Sequence, residues 1–127
     1  MLKELEKIFK YYRKKYKLKT ELIFEEDSEQ CGIYPEENYI VYDLNYVAND
    51  LDNSLIHQFD EYKKLIYCLL HEIGHAIDWK YNKNNMKKEM NEKIDVLYFF
   101  DVNYALSMPF EKRANNFAKK ELKKWIK

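Results

Sequence analysis

The stretch LLHEIGHAID, Leu69 to Asp78, decides how the rest of the chain is read. Apolar residues recur at helical spacing around it, and the pattern predicts one long helix, roughly Ser54 to Trp79. Successive helical residues turn by about 100°, so His71 and His75 sit about 40° apart, side by side on one face. Tyr62, Leu65, Ile66, Leu69, Leu70, Ile73, Ala76 and Ile77 gather on the opposite side, the side that would face a core. Glu72 flanks the histidines, Asp78 falls back beside His71, and Cys68 lies one turn before His71.

Two imidazoles that project together from a helix are what a shared metal ion requires. A glutamate beside them can hold a water and take its proton. The plainer alternative is a pair of polar side chains lining a helix–helix groove. A third ligand separates the two. The continuation AIDWKYNKNN lacks the histidine of the metzincin extension, and no histidine follows His75. A third ligand from downstream is therefore a carboxylate or something rarer. His57, the only other histidine, lies upstream.

The last helix, Phe110 to Ile126 and opened by Pro109, supplies a candidate. Phe110, Ala114, Phe117, Ala118, Leu122, Trp125 and Ile126 make its apolar face, and Glu111 falls inside that face. An unpaired buried carboxylate is costly or becomes neutral, so Glu111 should have a partner. A zinc ion held by two histidines is a natural one; a favourable helix dipole after Pro109 is the alternative. Asp95 and Asp101, on an expected helix from Met90 to Leu106, compete as ligands. Asn115, one turn after Glu111, faces the same way and could bond the outer nitrogen of a metal-bound histidine, with Asp78 a rival for that role. Ala114 and Ala118 are small enough to let this helix approach the histidine helix closely.

Upstream, Leu2 to about Leu18 has helical spacing with lysines opposite, best read as a solvated face. Thr20–Glu26 alternates like a strand, SEQCGIYPEE reads as a turn marked by Gly32 and Pro35, and ENYIVYDLNYV reads as a second strand. Asn82–Asn85 (NKNN) breaks the long helix. The fold expected is α+β and mostly helical, a single domain over 1–127, with a small antiparallel or mixed sheet packed on the histidine helix.

Composition narrows the function classes. The chain has 127 residues, 46% hydrophobic and 17% aromatic, with two glycines and two prolines, which suits a helix-leaning folded domain. Its 22 basic and 22 acidic residues cancel, so direct nucleic-acid binding is not expected. No stretch reaches a membrane span, and the N-terminal MLKELEKIFKYYRKKYKLK lacks a secretory apolar run. Two cysteines are too few for a disulfide framework, and a cytoplasmic, reduced setting is expected. Cys68 reads as a small buried side chain, with a redox-sensitive neighbour of the metal as the alternative.

The pair HEIGH with the later Glu111-Lys112-Arg113-Ala114-Asn115-Asn116-Phe117-Ala118 resembles the ImmA/IrrE family of zinc metallopeptidases, whose second motif is E-x-x-A-N-x-F-A. The resemblance covers about a dozen residues by motif and most of the chain by order of elements. It implies a zincin-like fold, one zinc ion on His71, His75 and Glu111, and Glu72 as general base. It further implies an intracellular endopeptidase, often of phages or mobile elements, that cuts a helix-turn-helix repressor. The segment between His75 and Glu111 looks long for the family, which bears on substrate preference.

On this reading Glu72 takes a proton from the water that attacks a peptide carbonyl and passes it to the leaving amine. Asn38 to Leu44 is the candidate edge strand for pairing an extended substrate, with Tyr39, Val41 and Tyr42 as binding residues. His57, Tyr42 and Tyr46 are the possible second oxyanion donors. The rival functions are a catalytically silent zinc-binding adaptor or anti-repressor that acts by docking, and a helical interaction protein without metal.

Overall fold

The computed structural model describes residues 1–49, 51, 59–92, 105 and 107–126. The first helix, α1 (Leu2–Lys15), buries Leu5, Ile8, Phe9 and Tyr12 and turns its lysines outward. It ends at Tyr16, where Lys17 takes a left-handed backbone with φ 55°.

Three short strands follow: β1 (Glu21–Phe24), β2 (Cys31–Tyr34) and β3 (Tyr39–Tyr42). Their spatial order is β1-β3-β2, with β3 parallel to β1 and antiparallel to β2. Cys31 pairs with Tyr42 and Tyr34 with Tyr39, and Asn38 closes the hairpin at φ 60°, a conformation asparagine tolerates. The fold is thus α+β with a small mixed sheet.

Two strand expectations are corrected. The stretch SEQCGIYPEE is not all turn: Cys31–Tyr34 forms β2, and Gly32 has no positive φ. Cys31 and Ile33, two apart, both pack against the core, which holds the segment extended. The second correction concerns the edge. The segment with Tyr39, Val41 and Tyr42 is the middle strand, hydrogen-bonded on both sides, so it cannot add a substrate strand. Ile40, Val41 and Tyr42 are buried, as suits a central strand covered on both faces. The strand also stops at Tyr42, because the Asp43 carboxylate accepts the Tyr46 N–H at 3.2 Å and starts α2 (Leu44–Asn49).

The histidine helix is α3 (Glu61–Tyr81), capped by the Asp60 carboxylate, which accepts the Lys63 N–H at 2.8 Å. Elements on several sides pack on α3: α1, α2, β2 and, among the described residues, two later helices. Its burial is correspondingly wide, and Tyr67, Cys68, Glu72, Gly74 and His75 are covered as well as the expected stripe. Tyr62, expected in the stripe, is exposed and donates to Glu4 at 2.9 Å. The NKNN break is one residue long. Asn82 leaves helical geometry, and α4 (Lys83–Glu92) starts at the next position. Met86 is buried with Trp79, Met108 and Phe110 in a second apolar cluster, which folds α4 back beside α3. His57, and residues 93–104 of the expected Met90–Leu106 helix with Asp95 and Asp101, lie outside the described residues.

The last helix, α5 (Pro109–Trp125), begins with proline in its first turn. It meets α3 at Gly74, where an added Cβ would lie 3.1 Å from the Ala114 Cα and 3.3 Å from the Phe117 ring. Ala114 and Ala118 are buried in this contact, so small residues on both helices permit the approach. Farther along, the buried Glu121 carboxylate accepts from Tyr12 at 2.9 Å and Lys124 at 3.0 Å, while the Trp125 indole donates to the Tyr12 hydroxyl at 2.9 Å. These bonds tie α5 to α1. Among the described residues no helix is long and apolar enough to cross a membrane.

Candidate metal centre

The close α3–α5 contact brings two sets of donors together. His71 and His75 stand on either side of Gly74 along α3, and Glu111 and Asn115 stand on either side of Ala114 along α5. His75 Nε2 lies 2.5 Å from Glu111 Oε1, and His71 Nε2 lies 3.2 Å from the same oxygen. The two Nε2 atoms are 3.1 Å apart, with the rings edge to face. Ligands about 2.0–2.1 Å from a tetrahedral zinc are separated by roughly 3.3 Å, so two edges of this triangle are near that spacing. The third edge, His75 to Glu111, is hydrogen-bond length.

Glu72 completes the cluster. Ligand atoms of His71, Glu72 and His75 all lie within 4.8 Å of one another, a group that could hold a metal ion. Glu72 is buried and faces a cavity of about 210 Å³ whose other walls include Cys31, Gly32 and Ile33 of β2, Met90 of α4, and Phe110. Of the two edge strands, β2 is the one that lines the cavity beside the histidines.

The electrostatics follow from burial and convergence. Burial opposes a charge on His71, yet the Glu111 carboxylate and then Glu72 raise its pKa to about 9. Burial pushes Glu111 the other way, but hydrogen bonds from His71 and His75 hold it well below the usual carboxylate range. Burial raises Glu72, and the neighbouring histidines offset this only in part.

Asn115 orients His71. Its Oδ1 accepts from the Tyr67 hydroxyl at 3.1 Å and lies 2.7 Å from His71 Nδ1. An oxygen already accepting from Tyr67 calls for the proton on Nδ1, which leaves the Nε2 lone pair of neutral His71 pointing at the centre. His75 Nδ1 is buried and has no partner among the described residues.

Asp78 is corrected: it does not serve a histidine. Its carboxylate takes Arg113 through Nε at 3.1 and 3.0 Å and Nη2 at 2.7 Å, while Glu89 of α4 accepts from Nη1 at 2.9 Å and Nη2 at 2.5 Å. One guanidinium thus joins α3, α4 and α5 beside the centre. Tyr42, weighed as an oxyanion donor, gives its hydroxyl proton to the Leu65 carbonyl at 2.6 Å, and Tyr46 is not among the cavity's lining residues. Cys68 is buried, and burial pushes its thiol up to about 12, which keeps it protonated. Sequence reasoning missed Tyr67, although it precedes His71 by four residues and so shares its face. It also missed β2 and the Arg113 junction, which depend on long-range packing. Compared with family models, curated proteins and solved structures, the chain gives no match.

Proposed function

We propose that this chain is a zinc-dependent endopeptidase acting on a protein partner. The observation that carries the reading is the convergence of His71 Nε2, His75 Nε2 and Glu111 Oε1, with a buried Glu72 oxygen within 4.8 Å of the histidine ligand atoms. Two imidazole nitrogens and a carboxylate oxygen that converge this closely in a buried place suit a metal ion that displaces the histidine proton. The donor set suits zinc: two imidazole nitrogens, one carboxylate oxygen, and an outer bond from Asn115 that fixes the His71 tautomer.

His71, His75 and Glu111 would hold the ion, which supplies Lewis acidity and makes water acidic near neutral pH. Glu72 takes the proton of the attacking water and returns it to the leaving amine. On its side away from β3, β2 has no strand partner among the described residues, so its backbone can pair with an extended substrate. The likeness of HEIGH and Glu111–Ala118 to the ImmA/IrrE motifs points to a helix-turn-helix repressor of a phage or mobile element as that partner. The same likeness points to a cytoplasmic setting, with which the free Cys31 and Cys68 agree.

The test begins with zinc content of purified wild type, Glu111→Ala and His75→Ala. About one zinc per wild-type chain, lost in both variants, is expected. Wild type that stays metal-free with zinc supplied would overturn the reading. Glu72→Gln should then retain metal and partner but lose cleavage. A partner that binds and is never cut, by wild type or variant, would make the protein a docking adaptor.

A further inference from the structure

The cavity at the histidines continues along the protein surface. Ile33, Pro35 and Met90 are shared with a neighbouring hollow, and Pro35, Trp79 and Lys87 join that hollow to a larger cavity of about 460 Å³. The far end lies where the α1–β1 connection and the β2–β3 turn meet the α3–α4 corner. Together these hollows make one groove running from His71 and His75 to that corner.

The far end is basic. Lys19, Lys80, Lys83 and Lys87 line it, against Glu36 as the one acidic lining residue. In a chain of zero formal charge this is a local concentration of cations. Lys83 and Lys87 hold their ammonium groups over the Trp79 ring, 5.0 and 5.5 Å from its centroid. Lys80 donates to the Lys17 carbonyl, which leaves two further N–H groups for a ligand. The cations are therefore partly ordered before any partner arrives.

From this geometry we infer that the groove takes an acidic stretch of polypeptide, its Asp or Glu side chains paired with Lys80, Lys83 and Lys87. The placing of the cut bond beside that stretch rests on the peptidase reading; the charge preference does not. Trp79 follows His75 by one helical turn, about 6 Å along α3, and an extended chain covers about 3.3 Å per residue. The acidic positions therefore begin roughly two residues from the bond held at the histidines. Between the two ends, Ile33, Pro35 and Met90 offer apolar walls suited to peptide side chains, while Glu36 and Glu37 on the β2–β3 turn confine the acidic positions to the lysine end. Single-stranded nucleic acid is less well served, because the Trp79 face on which a base would stack is covered by lysines.

Fluorescence anisotropy with labelled hexaglutamate, hexaserine and oligothymidylate tests this on the full chain. Hexaglutamate should bind wild type and release at high salt. Lys83→Glu/Lys87→Glu should weaken it by at least about tenfold, while Lys10→Glu/Lys14→Glu, a reversal on the exposed face of α1, should change it less than about twofold. All four lysines are exposed, and matched circular dichroism will verify folding. Equal losses in both double variants, or hexaglutamate no tighter than hexaserine, would overturn the inference. So would oligothymidylate binding as tightly and failing in the same variant, which would assign the groove to nucleic acid. Should zinc be absent while hexaglutamate binding depends on Lys83 and Lys87, the peptidase reading falls and the acidic groove stands.

Discussion

Zinc binding at the proposed centre should weaken as the pH falls below about 9, and the size of the effect follows from the donor triangle. In the metal-free protein Glu111 stays a carboxylate, and the His71 pKa is raised to about 9 with its side chain only 16% exposed. At pH 7 a proton therefore occupies the place the metal needs. Displacing it from a group about two pH units below its pKa costs about 2.7 kcal/mol. Apparent affinity should rise about tenfold per unit between about pH 7 and 8.5 and level off above about 9. Competition against a chromophoric chelator, corrected for the chelator's own protonation, measures the slope. Calorimetry in two buffers of different ionisation enthalpy counts the released proton, about one near pH 7.5. The stability of the metal-free protein runs the opposite way. A raised histidine pKa stabilises fully below the unfolded value of about 6.5, and that contribution is lost as pH rises through about 9. Glu111→Gln should flatten both profiles. A wild-type slope near zero with no proton released would refute the account.

Three further outcomes rest on packing. Gly74→Val should destabilise by about 3 kcal/mol in urea unfolding, because its branches press on the Ala114 backbone and the Phe117 ring; unchanged stability would mean the helices can part freely. Arg113→Met should lose about 1–3 kcal/mol, since Asp78 and Glu89 are 10% and 18% exposed but the guanidinium itself is 36% exposed and screened. A loss under about 0.5 kcal/mol would mean the junction is only a surface pairing. Tyr12→Phe removes both the donor to buried Glu121 and the acceptor of the Trp125 indole, and should lower stability by about 2 kcal/mol in thermal or chemical unfolding. An unchanged midpoint would show that solvent replaces both bonds.

Local periodicity made α1, α3 and α5 legible, because each carries an apolar spacing that only a helix aligns, although α3 starts at Glu61 behind the Asp60 cap and not near Ser54. It also placed His71, His75 and Glu72 correctly relative to one another, since three positions on one helix need no tertiary knowledge. Glu111 and Asn115 were legible for a different reason: polar residues on an otherwise apolar helical face demand partners. What failed was whatever depends on neighbours distant in sequence. Gly32 and Pro35 look like turn residues, yet pairing with β3 holds Cys31–Tyr34 extended. The same pairing turned the expected edge strand into the centre of the sheet. Asp78 has the right angle for His71, but Arg113, two residues after Glu111 on α5, takes it first. NKNN is a poor helix sequence, and only the burial of Met86 explains why α4 starts inside it.

The proposed donors His71 and His75 ride on the helix against which α1, α2, β2, α4 and α5 all pack. Its amides should therefore be among the last to exchange with solvent, opening only when the whole protein opens. A centre built this way differs from a small finger domain that collapses when its ion is stripped. Here α3 and α5 are held together by Gly74 and Ala114 before any ion arrives. Chelation should leave a folded protein with its cradle intact, and loading and unloading should be a reversible cycle at constant fold.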